Sequence, residues 1–286
     1  MGTWYSKPWR NVEWEESTRY RLKEFVKEYR PTIKSIPQAR ILLVGDVGAG
    51  KSSFFNSINS IFSGCITGQA NAGPNDTNLI LKYHTYRVRV RQGGRALPFL
   101  LGDTMGLEKR ANEGVSVEDI DSILKGYIKD GYQFNPTKPW SQDGDQCHIP
   151  PLQKRIHCVV FVVDASKLPL MKSAEDNSKF IQIRNKANLL DVPVMVLLTN
   201  VDKVCPHVQK DLKNVYWSNY LKEQIYKASD FLGIQVSNVF PVKNYCSEVE
   251  LDMRCDILLL TAMQKMLRLS NDFFANFEED RVRDGF

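Results

Sequence analysis

No run of about 18 uninterrupted apolar residues occurs in the 286-residue chain, which argues against a membrane-spanning helix. The opening Met1-Gly2-Thr3-Trp4 lacks the basic region and apolar core of a secretory signal, so a soluble, cytoplasmic protein is expected. A net charge of +5 is spread along the chain without a Lys/Arg block of roughly five to eight residues, so no nucleic-acid surface is expected. Arg283-Asp284-Gly285-Phe286 is no prenylation box, and Met1-Gly2 with Ser6 matches a myristoylation pattern only formally because Trp4 and Tyr5 are bulky. No stable membrane anchor is therefore expected. None of the six cysteines (Cys65, Cys147, Cys158, Cys205, Cys246, Cys255) forms a C-x-x-C pair, and Cys158 and Cys255 lie in or beside apolar segments. They read as free thiols, mostly packing residues, in a reducing compartment. No internal repeat is present. What remains is 43% hydrophobic content, enough for the core of one large α/β domain or of a domain with appendages.

Against that background one motif stands out. Gly45-Asp46-Val47-Gly48-Ala49-Gly50-Lys51-Ser52 follows the apolar run Ile41-Leu42-Leu43-Val44 and precedes helix-capable sequence beginning at Ser53. A strand, a glycine-rich turn and a helix N-terminus together turn backbone N–H groups toward an anion. In this P-loop reading Lys51 reaches the β- and γ-phosphates, and Ser52 ligates Mg²⁺.

Strands and helices alternate around this element. Positions 22, 25, 26 and 29 repeat at helical spacing, and Pro31 and Pro37 lead into a strand at 40–44. Leu79 to Arg91, a turn at Gln92-Gly93-Gly94-Arg95 and Ala96 to Leu101 read as a hairpin. A helix is expected at 116–129, and the segment 131–151 reads as a surface insertion in which Cys147 and His148 are too few for a metal site. Strands at 156–163, 194–198 and 239–242 alternate with helices at 173–190, 208–232 and 251–269. The pattern predicts an α/β P-loop NTPase fold of the GTPase-like kind, a mostly parallel sheet with helices on both faces. An N-terminal helix and connector occupy 1–39, the P-loop domain 40–270 with an insertion at about 107–155, and a tail 271–286.

Later landmarks separate a GTPase from an ATPase. Asp103-Thr104-Met105-Gly106 follows a strand, placing a carboxylate for Mg²⁺ and the Gly106 N–H for a γ-phosphate. Thr77 is the expected switch threonine and a third metal ligand with Ser52 and Asp103; Thr67 competes, and the strand starting directly after Thr77 favours it. Thr199-Asn200-Val201-Asp202 follows a buried strand and resembles the T/N-K-x-D motif, whose aspartate accepts from guanine N1–H and its amine. Here Asn200 replaces the lysine that normally covers the purine. A register ending at Lys203 loses the aspartate and explains less. Val242-Lys243-Asn244 suits the loop lining the base. Leu107 occupies the place of the water-positioning glutamine, so no catalytic residue is assigned and intrinsic hydrolysis is expected to be slow.

These motifs, closest at Leu42 to Gly45, Gly48 to Ser57 and Phe240 to Tyr245, resemble the interferon-induced protein 44 family over Arg40–Leu269. Larger members carry a TLDc domain at the amino end, which is not expected here. The resemblance implies an interferon-inducible, cytoplasmic, GTP-binding protein with antiviral, immune-modulating and antiproliferative roles. Two readings stay open: a GTP-switched enzyme with a protein partner or self-association, and a non-hydrolysing protein that uses GTP or GDP as a structural ligand. Partner surfaces in the second reading are the N-terminal aromatic helix and the 131–151 insertion.

Overall fold

A computed structural model of the chain describes residues 7–70, 82–91, 93–107, 114–135, 138–141, 149–171 and 178–283. Its centre is a six-stranded sheet in the order β2-β3-β1-β4-β5-β6, with β1 Ala39–Val44, β2 His84–Arg89, β3 Ala96–Asp103, β4 Cys158–Asp164, β5 Val194–Thr199 and β6 Val239–Pro241. β2 runs antiparallel to β3 and the other pairings are parallel. Every residue of β4 is buried, and so are those of β5 after Val194, as expected of strands covered on both faces. Connected strands β1, β3, β4, β5 and β6 therefore deliver their carboxyl ends to one edge, where ligands of such sheets bind.

The helices are α1 Glu16–Glu28, α2 Lys51–Ser63, α3 Val117–Leu124, α4 Ser178–Asn188, α5 Val201–Val204, α6 Pro206–Lys210, α7 Asn219–Leu232 and α8 Met253–Arg283. α1 lies against α8 rather than in the sheet. It buries Leu22 and Val26, and Arg19 Nε donates to the fully buried Asp256 Oδ2 at 2.7 Å. The segment before α1 crosses the far edge of the sheet, where Arg10 donates to Val239 O at 3.0 Å and to Val236 O at 3.1 Å. Its guanidinium also lies over the Trp9, Tyr216 and Phe240 rings. The exposed edge of β6 is thereby covered.

Several boundaries differ from the sequence expectation. The helix expected at 208–232 breaks into α6, a 3₁₀ turn at Leu212–Tyr216 and α7, because Asp211 and Ser218 accept the N–H groups of Lys213 and Leu221 and start new turns. The expected tail at 271–286 instead continues α8 to Arg283, with Phe273 and Phe274 packed on the His157 ring. The helix expected at 116–129 stops at Leu124, and Gly126 at φ +84° lets the chain pass directly over the Lys154 backbone. Cys158, Cys205 and Cys255 are buried free thiols, and Cys65 and Cys246 are exposed free thiols. Among the described residues no helix is long and apolar enough to cross a membrane.

Candidate functional site

The P-loop is shaped by contacts that only glycine permits. Gly48 and Gly50 have φ of +76° and +98°, and a side chain on Gly50 would lie 2.8 Å from Asn244 Nδ2. A Cβ on Gly45 would come within 2.1 Å of Val162 O, so the loop leaves β1 pressed against β4. α2 then begins at Lys51 with no side-chain cap on its first turn, leaving its amide donors turned toward the loop. Lys51 folds over the cradle and donates to Gly45 O at 2.8 Å and Asp46 O at 3.1 Å.

Three side chains from other elements hold the loop. Thr199 Oγ1, at the end of β5, donates to Ala49 O at 2.7 Å. Asn244 Nδ2, after β6, donates to Gly50 O at 3.1 Å, and Lys167 Nζ, after β4, donates to Val47 O at 3.2 Å. Thr199 is fully buried, so its bond is not in competition with water.

Asp103 ends β3 beside the first turn of α2. Ser52 Oγ donates to its Oδ2 at 2.5 Å, while its Oδ1 is buried without a hydrogen-bond partner. Burial raises the carboxyl above its usual range, opposed by the Lys51 charge and the Ser52 hydroxyl. An orphaned carboxylate oxygen next to a hydroxyl is a donor set that suits a hard cation. Among the described residues no group of three or more His, Cys, Asp or Glu side chains could hold a metal. A cation at Asp103 and Ser52 would complete its shell with phosphate and water oxygens, the usual habit of Mg²⁺. Thr77, expected as its third protein ligand, lies outside the described residues. The competing Thr67 is tied to the far end of α2, where its N–H donates to Ser60 Oγ at 2.8 Å and its Oγ1 accepts from Asn59 at 3.0 Å.

Residues 105–107 run alongside the P-loop. Leu107 N donates to Gly45 O at 3.0 Å, and Asp46 and Leu107 form a parallel bridge. A side chain on Gly106 would meet Val47 N at 2.6 Å, so glycine is required for this approach. Leu107 is 4% exposed and belongs to the core. It offers packing rather than a polar group that orients water.

The base-side loops converge on the same edge. Asn200, at φ 56°, starts the short helix that carries the half-buried Asp202, and Lys203 of the alternative register is exposed. Asn200 Nδ2 donates to Asp164 Oδ2 at 2.8 Å, and Asp164 Oδ1 accepts from Ser166 N at 2.8 Å and Ser166 Oγ at 2.7 Å. Asp164 belongs to no motif in the sequence, although its signal is the same as that of Asp103: a carboxylate at the end of a buried strand. Val242 is buried and its N–H donates to Leu198 O at 2.8 Å. Lys243 pairs with Glu248 at 2.8 Å and also feels the charge of Asp202. Burial alone would raise the Glu248 carboxyl; Lys243 and the Cys246 N–H bring it down to about 2. The arrangement thus joins Gly45–Ser53, Asp103, Gly106, Thr199, Asn200, Asp202 and Val242–Asn244 at one end of the sheet.

No protein-family model matches the chain. It is 40% identical to human interferon-induced protein 44-like over 256 residues, covering 89% of this chain and 56% of that protein. It is 37% identical to human interferon-induced protein 44 over 265 residues, covering 92% of this chain and 59% of that protein. With the mouse protein 44 the figures are 36% over 253 residues, 88% of this chain and 59% of the relative. The chain thus spans somewhat over half the length of the curated relatives it matches. A solved structure of the chloroplast translocon components atToc33 and psToc159, concerned with dimerization and GTPase activity, aligns at TM-score 0.52 and 15% identity, covering 89% of this chain and 91% of that chain. This likeness supports the fold, a P-loop α/β sheet. Across the span they share, the chain is a homologue of interferon-induced protein 44 and its 44-like relative.

Proposed function

We propose that the chain binds GTP and GDP with Mg²⁺ and hydrolyses GTP slowly or only when a partner completes the site. The observation that carries this reading is the meeting, at one sheet edge, of the Lys51 cradle, the Ser52–Asp103 pair with its orphaned oxygen, and Asp202. Phosphate would lie on the α2 N-terminus, Mg²⁺ against Ser52 and Asp103 with Thr77 as a third protein ligand, and guanine against Asp202. Asn200 bonded to Asp164 cannot cover the purine as a lysine stem does, and Lys167 supplies a tie to the P-loop backbone from a different strand end.

The buried Leu107 favours a second reading, in which the nucleotide acts as a structural ligand and the protein works through its surfaces. In either case homology points to an interferon-induced, GTPase-like protein, and we assign it a cytoplasmic role in antiviral and immune regulation through a protein partner or self-association. Calorimetric titration with GTP, GDP and ATP in Mg²⁺ tests the binding claim. Guanine-selective heat that disappears in Lys51→Ala is expected; equal binding of ATP, or no binding, overturns it. Single-turnover hydrolysis at rising protein concentration then separates the two readings, because completion in trans makes the rate concentration-dependent.

A further inference from the structure

A second polar groove lies toward the opposite end of β1, away from the P-loop. It is an open cavity of about 550 Å³ on the outer part of the sheet, bordered by the chain at 126–130 and by Lys154. Arg40 of β1 and Arg87 of β2 both pair with Leu100 of β3, so the three residues form one cross-strand row. Paired residues point to the same face. The two arginines therefore flank Leu100 on one side of the sheet, their backbones about 10 Å apart at two strand spacings. Tyr86, between Thr85 and Arg87, stacks instead on Phe55 of α2. The groove face is consequently the one opposite α2.

Arg89, Lys129 and Lys154 bring three more cations to the same lining, against one carboxylate, Asp130. Asp130 Oδ1 is occupied in accepting from Thr85 N at 2.7 Å. Among the described residues none of the five cations has a carboxylate within 4.0 Å. Ion pairs elsewhere include Arg19 with the buried Asp256 and Lys243 with Glu248. Arg40 is half-buried; its side chain hydrogen-bonds the buried Tyr83 hydroxyl, while its Nε is wholly buried without a hydrogen-bond partner. Like charges gathered around a single carboxylate repel one another, and an anionic ligand would relieve that repulsion.

We propose that this groove is a binding site for a compact ligand bearing two or more phosphate groups. Guanidinium forks on one row match phosphate oxygens bidentately, and two arginines two strands apart call for more than one phosphate. The cavity has the volume of a small-molecule pocket, and the basic residues reach it from β1, from β2 and from the chain around 129 and 154, four of them with exposed side chains. At roughly 13 Å from Arg40 to Val44 along β1, the site is separate from the P-loop. It does not depend on the guanine reading.

The experiment uses the full chain carrying Lys51→Ala, so that phosphate binding at the P-loop is removed. Calorimetric titration with tripolyphosphate and with inositol hexakisphosphate at about 150 mM salt is expected to give saturable binding of one probe per chain. In that background Arg87→Ser with Lys129→Ser weakens binding at least tenfold, while Lys210→Ser with Lys227→Ser, on another surface, leaves it unchanged. Matching thermal unfolding of the variants confirms that they fold. Equal binding by both double variants, or no binding by the Lys51→Ala chain, overturns the proposal. Vesicles of phosphatidylcholine with and without phosphatidylinositol bisphosphate separate the sources: co-sedimentation lost in Arg87→Ser/Lys129→Ser assigns a lipid headgroup, whereas probe binding without co-sedimentation assigns a soluble oligophosphate.

Discussion

Thr199 joins the base-side motif to the phosphate cradle, so replacing it separates structural from functional roles. Thr199→Val keeps nearly the same shape but deletes the hydroxyl that donates to Ala49 O at 2.7 Å and lies 3.2 Å from Val163 O. The site is fully buried, and the Ala49 carbonyl cannot turn to water instead. Losing the hydroxyl should therefore cost about 1–2 kcal/mol of stability without nucleotide. It also frees the P-loop, which must then be ordered by the ligand. If that ordering weakens affinity by about tenfold, the stabilisation given by nucleotide at a concentration of 100 wild-type dissociation constants falls from about 2.7 to about 1.4 kcal/mol. Urea unfolding with and without GTP and Mg²⁺ measures both quantities, and Thr199→Ser, which keeps the hydroxyl, should recover most of each. A stability loss with an unchanged nucleotide increment would refute the claim that this contact pre-forms the cradle.

Asp103→Asn should remove the dependence of GTP affinity on Mg²⁺, read as the same Kd with Mg²⁺ and with a chelator; a persistent Mg²⁺ effect would place the ion elsewhere. Lys167→Ala deletes an exposed tie to Val47 O and should weaken GTP about two- to fivefold, a small effect because the contact is solvated. His157 sets the acid limit of stability. Its Nδ1 accepts from Arg40 N at 2.9 Å, so Nε2–H donates to Leu152 O, and burial pushes the pKa down to about 4. The unfolded chain, with a histidine near 6.5, gains a proton that the folded one refuses as pH falls from 6.5 toward 4. Stability present at neutral pH thus declines over that window, by roughly 3 kcal/mol from this group at pH 4. Urea unfolding between pH 7 and 4.5 should show a steeper decline for the native chain than for His157→Gln, and equal slopes would remove His157 from the account.

The P-loop side of the candidate site is legible in the sequence because each of its elements is a buried strand followed at once by a short polar motif. Val44 leads into the P-loop, the end of β3 into Asp103, and β5 into Thr199. Asp164 carries the same signal but no familiar motif follows it, and its hold on Asn200 depends on β4 and β5 lying side by side. Lys167 has no sequence signature, since its contact joins residues far apart in the chain. The breaks at Asp211 and Ser218 were present as capping residues inside a helical pattern, where local caps prevailed over apolar periodicity. The extension of α8 was hidden because Phe273 and Phe274 acquire their burial from His157, a neighbour supplied only by the fold. The cation row of the groove was equally silent, because Arg40 and Arg87 become neighbours only through Leu100.

Asp202 is the carboxylate proposed to read guanine, and its replacement tests that role most directly. Replacing it with Asn exchanges an acceptor for a donor, and xanthine carries a carbonyl where guanine carries the exocyclic amine. Fluorescence competition of GTP, xanthosine triphosphate and ATP against one labelled nucleotide should show GTP preferred by the native chain and xanthosine triphosphate preferred by Asp202→Asn. An unchanged order of the three nucleotides in Asp202→Asn would contradict the guanine site.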